Sequence, residues 1–227
     1  MKNPLQYSFK TEIWPLAILA ATVAVSAWSY PHLPNQVVTH WNIQGQANGW
    51  SSRTFQAIFF PALLAAMYAL FSLMPLFDPR RERYQEFAKV YRSMRNLILS
   101  ALLIIFTAAT FSNLGYAINI GVVVAGTIGL MFALIGAYLP KLKRNWFIGI
   151  RTPWTLSSEN VWDKTHRLGG RLFIVLGIAF LVSPWLAPAW DMIIIVGGLL
   201  AFIAAVGIYS YVLYKREKTG GRTEKNN

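Results

Sequence analysis

Residues 118–139 read INIGVVVAGTIGLMFALIGAYL, twenty-two positions without an acid, a base or a histidine. Crossing the hydrocarbon of a bilayer takes about 20 mainly apolar residues. Inside lipid such a run must satisfy its own backbone hydrogen bonds, so it reads as a transmembrane helix. Lys141, Lys143 and Arg144 follow at once and mark one end as polar. Working outward, comparable runs cover Ile13–Tyr30, Phe55–Phe77 and Leu97–Ser112 upstream. Downstream they cover Leu172 to about Leu186 and Met192–Tyr214. Pro184 and Pro188 interrupt the end of the fifth run, which reaches Trp190 if counted through them. The fold class is therefore all-α: a polytopic integral membrane protein with six transmembrane helices. Composition agrees, because only 13% of the 227 residues are charged, against about 25% in soluble domains. The absence of cysteine excludes disulfides, thiolate metal sites and cysteine nucleophiles.

The basic residues orient the spans. Twenty of the 21 Lys and Arg residues fall in the tails and in the loops after the second and fourth spans; only Arg53 falls on the other side. Basic loops stay cytoplasmic, so both termini and the two basic loops are expected inside a cell membrane crossed several times. This placement accounts for the net charge of +12 without direct nucleic-acid binding. The bilayer itself, including its anionic lipids, is the first expected partner. Lys2 and Lys10 before an apolar run could suggest a signal peptide. The run is long for one and reads better as an uncleaved first helix. Trp14, Trp28, Trp50, Trp146, Trp185 and Trp190 near the span ends read as interfacial anchors.

No Asp, Glu, Lys, Arg or His lies inside the six spans as bounded above, which argues against a proton-coupled pump. Thr107, Thr110, Ser112 and Asn113 read as interhelical hydrogen bonds or a helix end. Gly121, Ala125, Gly129, Ala133 and Ala137 form a small-residue ladder that lets another helix approach closely, and Gly197, Ala201 and Ala205 a shorter one.

Two soluble stretches carry the functional information. The outside loop, residues 31–54, has turn residues throughout, among them Gly45, Gly49, Asn42 and Asn48. It is expected to be ordered, with His40, Trp41, Asn42, Gly45 and Trp50 as the candidate binding residues. His32 and His40 lack a suitable third ligand nearby, so neither metal nor any other cofactor is expected. The inside stretch, residues 145–171, carries the candidates Arg151, Trp154, Glu159, Trp162, Asp163, His166 and Arg167. Pro153 holds Thr152 extended, and Ser157 or Ser158 can cap a short helix that Gly169 and Gly170 should end. Glu159, Asp163 and His166 share one face of it. They suit either a metal or acid–base cluster, or a plain arrangement in which Asp163 pairs with Arg167 and His166 sits at the headgroups. Residues 78–95 place Tyr84, Phe87, Val90 and Tyr91 on one face and read as an amphipathic helix lying on the inner surface, against lipid or a docked protein.

The stretch Gly149-Ile-Arg-Thr-Pro-Trp-Thr-Leu-Ser-Ser-Glu159, then Val161-Trp162, then Lys164-Thr-His-Arg-Leu-Gly-Gly170, resembles the hallmark of the SdpI-type bacterial immunity proteins. Leu33-Pro34, Thr39-His40-Trp41-Asn42, Gly45 and Gly49-Trp50 resemble the small uncharacterised domain that often precedes it. The resemblance implies protection against a secreted toxin peptide, and recruitment of a cytoplasmic transcriptional repressor to the membrane. It divides the chain into residues 1–112, an SdpI-like region at 113–214 with its motif loop at 140–171, and a basic tail at 215–227. No catalytic constellation is recognisable, and a non-enzymatic immunity or sensor protein is the leading expectation. The alternatives are a transporter or channel for a peptide or small amphiphile, and a metal-dependent membrane enzyme using Glu159, Asp163 and His166.

Overall fold

The computed structural model describes residues 3–42, 45–186, 190 and 193–223. Pro188, Asp191 and Met192 in the last turn, and Lys2 and Lys225 in the tails, lie outside the described residues. Six helices are long and apolar enough to cross a membrane. They are α1 (Phe9–Ser29), α2 (Arg53–Phe77), α3 (Tyr84–Asn113), α4 (Ile120–Tyr138), α6 (Glu159–Val182) and α7 (Gly198–Thr223), with the short α5 (Pro153–Ser157) between α4 and α6. The protein is a multi-pass membrane protein. Each start has a local cause. Ser8, Ser52, Asn119 and Ser158 accept from backbone amides three residues on, at the starts of α1, α2, α4 and α6. Such caps satisfy donors that the first turn leaves unpaired.

The loop between α1 and α2, expected outside, is not helical. It is a two-stranded antiparallel hairpin, β1 (Gln36–Trp41) with β2 (Ala47–Ser52), paired Val38 to Trp50 and Trp41 to Ala47. β-Branched and aromatic residues favour the strands. At the turn the Asn42 carboxamide oxygen accepts from Gln46 N–H at 2.9 Å, and Gly45 takes a φ of +75°. Asn42 and Gly45 thus build the turn.

Two expectations about helix limits are corrected. Residues 78–95 do not lie flat on the membrane. After a 3₁₀ turn at Arg81–Arg83 they continue into the third span as one helix, kinked at Phe87. Tyr84, Phe87, Tyr91 and Met94 are buried, in one cluster with Leu142 and Trp162. The amphipathic face exists, but protein covers it. Gly169 and Gly170 do not end a helix either, because α6 runs through them into the fifth span. Their bareness serves close approach. A Cβ on Gly170 would meet the Gly136 carbonyl at 2.6 Å, and one on Gly177 the Gly129 carbonyl at 2.5 Å. The α4 ladder is real at Gly129 and shifts to Gly136 at its lower step. Replacing Gly177 by leucine is expected to force α4 and α6 apart at a cost of about 1–3 kcal/mol. A lowered melting temperature of the purified protein in detergent checks it.

Candidate functional site

One end of the bundle carries the hairpin, the other the motif of residues 145–171, packed against the end of α2 and the start of α3. The hairpin is anchored by Asn113 at the end of α3. Its side chain accepts from Val38 N–H at 2.8 Å and donates to Val38 O at 3.0 Å, in the manner of a third strand. It also donates to Gln56 at 3.2 Å, and Gln56 donates to the Thr110 hydroxyl at 3.0 Å. The polar cluster expected at the end of the third span therefore ties hairpin, α2 and α3 together. Above this anchor Trp50 is 58% exposed and His40 is exposed, while Trp41 is half-buried. His40 Nδ1 lies 2.5 Å from Asn48 Oδ1, and His32 Nδ1 lies 2.8 Å from the Trp28 carbonyl. The two imidazoles are thus held separately. Asn113→Ala is expected to speed hydrogen exchange at Val38 and along the hairpin, leaving the opposite end unchanged, because a half-buried backbone N–H and C=O lose their partner.

At the opposite end the motif folds around His166. Its Nε2 stands 3.0 Å from Ile150 N–H and accepts from it, so the proton sits on Nδ1, which donates to the Trp162 carbonyl at 2.8 Å. Trp162 stacks on the imidazole at 4.0 Å and donates Nε1–H to the Leu142 carbonyl at 2.8 Å. Both rings are fully buried. The chain reaches His166 only because Gly149 holds φ at +110°, which side chains rarely tolerate, and because a Cβ there would meet Nε2 at 2.5 Å. Thr155 closes the next turn, donating to the Ile150 carbonyl at 2.8 Å and sharing a capping box with Thr152. Thr152 then reaches Ser210 on α7 at 3.1 Å, and Trp154 packs on Tyr211.

A second knot joins the two basic loops. Buried Asp78 accepts from Arg80 N–H at 2.7 Å, Trp146 N–H at 2.9 Å and the Tyr84 hydroxyl at 3.0 Å. Asn145, also buried, accepts from Phe147 and Ile148 N–H and donates to the Lys143 and Ile148 carbonyls. Glu159 pairs with Arg83 and stands 3.6 Å from Arg144. Arg151 donates to the Trp146 carbonyl at 2.8 Å.

The sequence candidates therefore separate into a frame and a face. Trp162 and His166 are frame. Arg151, Glu159 and Arg167 are exposed, and Trp154 and Asp163 half-buried. The expected pair of Asp163 with Arg167 does not form: among the described residues neither is in a salt bridge. The metal or acid–base cluster is also overturned. Glu159 is held by arginines, and both His166 nitrogens are spent on backbone groups.

Sequence reasoning missed one buried ion pair. Arg95 on α3 lies 2.9 Å from Glu12 on α1, with both side chains almost wholly buried. Tyr68 on α2 donates to the same carboxylate at 3.0 Å and presents its ring to the guanidinium at 5.3 Å. Glu12 and Arg95 stand one and two residues outside the apolar runs, so hydropathy placed them in the loops. Glu12, the one acid before the first apolar run, was the available signal.

Two family models match separate parts of the chain. Residues 141–212, which hold the whole His166 frame, match the SdpI/YfhL protein family. Residues 17–65, which hold the hairpin, match a domain of unknown function, DUF1648. Over 207 residues the chain is 22% identical to the "Immunity protein SdpI" of Bacillus subtilis (strain 168), covering 91% of this chain and 97% of that one. No solved structure matches. The likeness is to an immunity protein rather than to an enzyme family.

Proposed function

We propose that this chain is a membrane immunity protein of the SdpI type without enzymatic activity, that it protects its cell from a secreted toxin peptide, and that it binds a cytoplasmic repressor at its basic end. The carrying observation is similarity over 91% of this chain to the Bacillus subtilis immunity protein, with the hairpin inside one family-matching segment and the His166 frame inside the other. Both termini and the basic loops face the cytoplasm, as the distribution of Lys and Arg supports. The hairpin, with Trp50, His40 and Trp41 outward, meets the toxin; Asn42 and Gly45 set its turn. Arg151, Trp154, Glu159, Asp163 and Arg167 form the repressor face, and Trp162 and His166 hold it in shape.

The test is survival of a toxin-sensitive host that expresses the protein, with a repressor-controlled reporter read alongside. Trp50→Ala is expected to lower survival, and Arg151→Ala to lower the reporter response while survival persists. Full survival and normal reporter output from both variants, at wild-type abundance in the membrane, would reject this reading.

A further inference from the structure

The hairpin has two long edges, and the protein closes one of them. Opposite residues of an antiparallel pair either exchange both backbone bonds or turn both sets of groups outward, in alternation. Val38 turns its N–H and C=O away from β2, to the Asn113 side chain on α3. Trp50, opposite Val38, therefore turns its own N–H and C=O away from β1. The start of the pair keeps the same alternation. Arg53 N–H donates to the Asn35 carbonyl at 3.1 Å, so the next pair, Gln36 with Ser52, is again an outward one. The Ser52 carbonyl opens α2, because Ser52 is its cap. Three groups remain along the outer edge of β2: Trp50 N–H, Trp50 C=O and Ser52 N–H. Among the described residues none of them has a partner.

Nothing on that edge guards it. Ala47–Ser52 holds no charge and no proline, the residues that commonly keep a free edge from pairing. Trp50 and Ser52 are both exposed. The N–H and C=O of one residue, followed by the N–H two residues on, form a template that an extended backbone matches. The opposite edge shows such a match already made, where the Asn113 carboxamide gives Val38 one acceptor and one donor. We infer that the outer edge of β2 binds a stretch of the secreted peptide in extended form, as an added strand held by Trp50 and Ser52 with the Trp50 indole beside it. The inference rests on the immunity reading and adds the conformation of the guest: main-chain bonds attach it, and Trp50 sets the side-chain preference.

Ser52 allows one of those groups to be removed alone. Its φ of −74° suits proline, and Ser51 before it is already extended. Ser52→Pro therefore deletes the outward N–H without straining the chain. Ser52→Ala loses the same capping oxygen and keeps the N–H. The readout is the peptide concentration that halves survival of the toxin-sensitive host. Ser52→Ala is expected to protect within about two-fold of the wild type and Ser52→Pro about ten-fold less, the worth of one hydrogen bond. Equal protection from the two variants overturns the edge and leaves the immunity reading standing; a wild type that gives no protection removes both. Hydrogen exchange of the full chain in nanodiscs decides without a variant, should Ser52→Pro not fold. The Trp50 amide is expected to exchange fast alone and about five-fold slower with the secreted peptide fraction used in the survival assay, while Val38 stays unchanged. No slowing overturns the proposal. So does disulfide cross-linking of Trp50→Cys chains to one another in membranes without peptide, which would put a second copy on the edge.

Discussion

Replacing Gly149 by alanine is expected to collapse the basic end while leaving the hairpin end intact. Two costs coincide. A non-glycine residue at a φ of +110° stores about 1–3 kcal/mol of backbone strain. The new methyl would also stand 2.5 Å from His166 Nε2, inside any allowed contact. Relief requires His166 to leave Ile150 N–H, and an amide deprived of its partner costs about 1–3 kcal/mol more. Trp162, stacked on the ring, loses its seat with it. The variant should show fast hydrogen exchange at Ile150 and through α5, and a lost reporter response. Val38 and its neighbours in the hairpin should exchange as in the wild type. His166→Ala, which removes the acceptor without straining the backbone, is expected to give a weaker form of the same pattern.

Arg95→Ala is expected to be comparably damaging, at the other three helices. It leaves the Glu12 carboxylate buried between α1, α2 and α3 with, among the described residues, the Tyr68 hydroxyl as its one remaining side-chain partner. Removing one member of a buried pair costs about 3–5 kcal/mol. The loss should appear as a fall in melting temperature in detergent, with protein recovered in lower yield. Replacing both members by methionine removes the uncompensated charge, and is expected to restore most of the stability. If Arg95→Ala melts like the wild type, the pair is not what holds α1 to α3.

How far the sequence could be read divides along physical lines. The six spans were legible because hydrophobic length is a local property; the charge-free run at 118–139 needs no knowledge of its neighbours. The ordered hairpin was legible only as turn residues, because Asn42 and Gly45 are local signals while strand pairing depends on Asn113, more than seventy residues away. The helix that passes through Gly169 and Gly170 was misread as ending there, since glycine marks a helix end and a close helix crossing alike. Only the position of Gly136 on α4 separates the two. Tyr84, Phe87 and Tyr91 were read as a surface stripe for the same reason: their spacing shows an apolar face, not what covers it. His166 was seen as a candidate ligand because it is an imidazole beside two carboxylates. That both its nitrogens go to backbone groups at Ile150 and Trp162 is tertiary information. The Glu12–Arg95 pair fell just outside the apolar windows, where pattern reading treats charge as solvated.

The proposed division of labour rests on the hairpin facing outward and the His166 frame facing the cytoplasm. The chain contains no cysteine, so a single introduced thiol reports one position unambiguously. A membrane-impermeant maleimide added to intact cells is expected to label Trp50→Cys and to spare Arg151→Cys until the membrane is opened. Labelling of Arg151→Cys in intact cells, with Trp50→Cys protected, would invert the protein in its membrane and contradict the account.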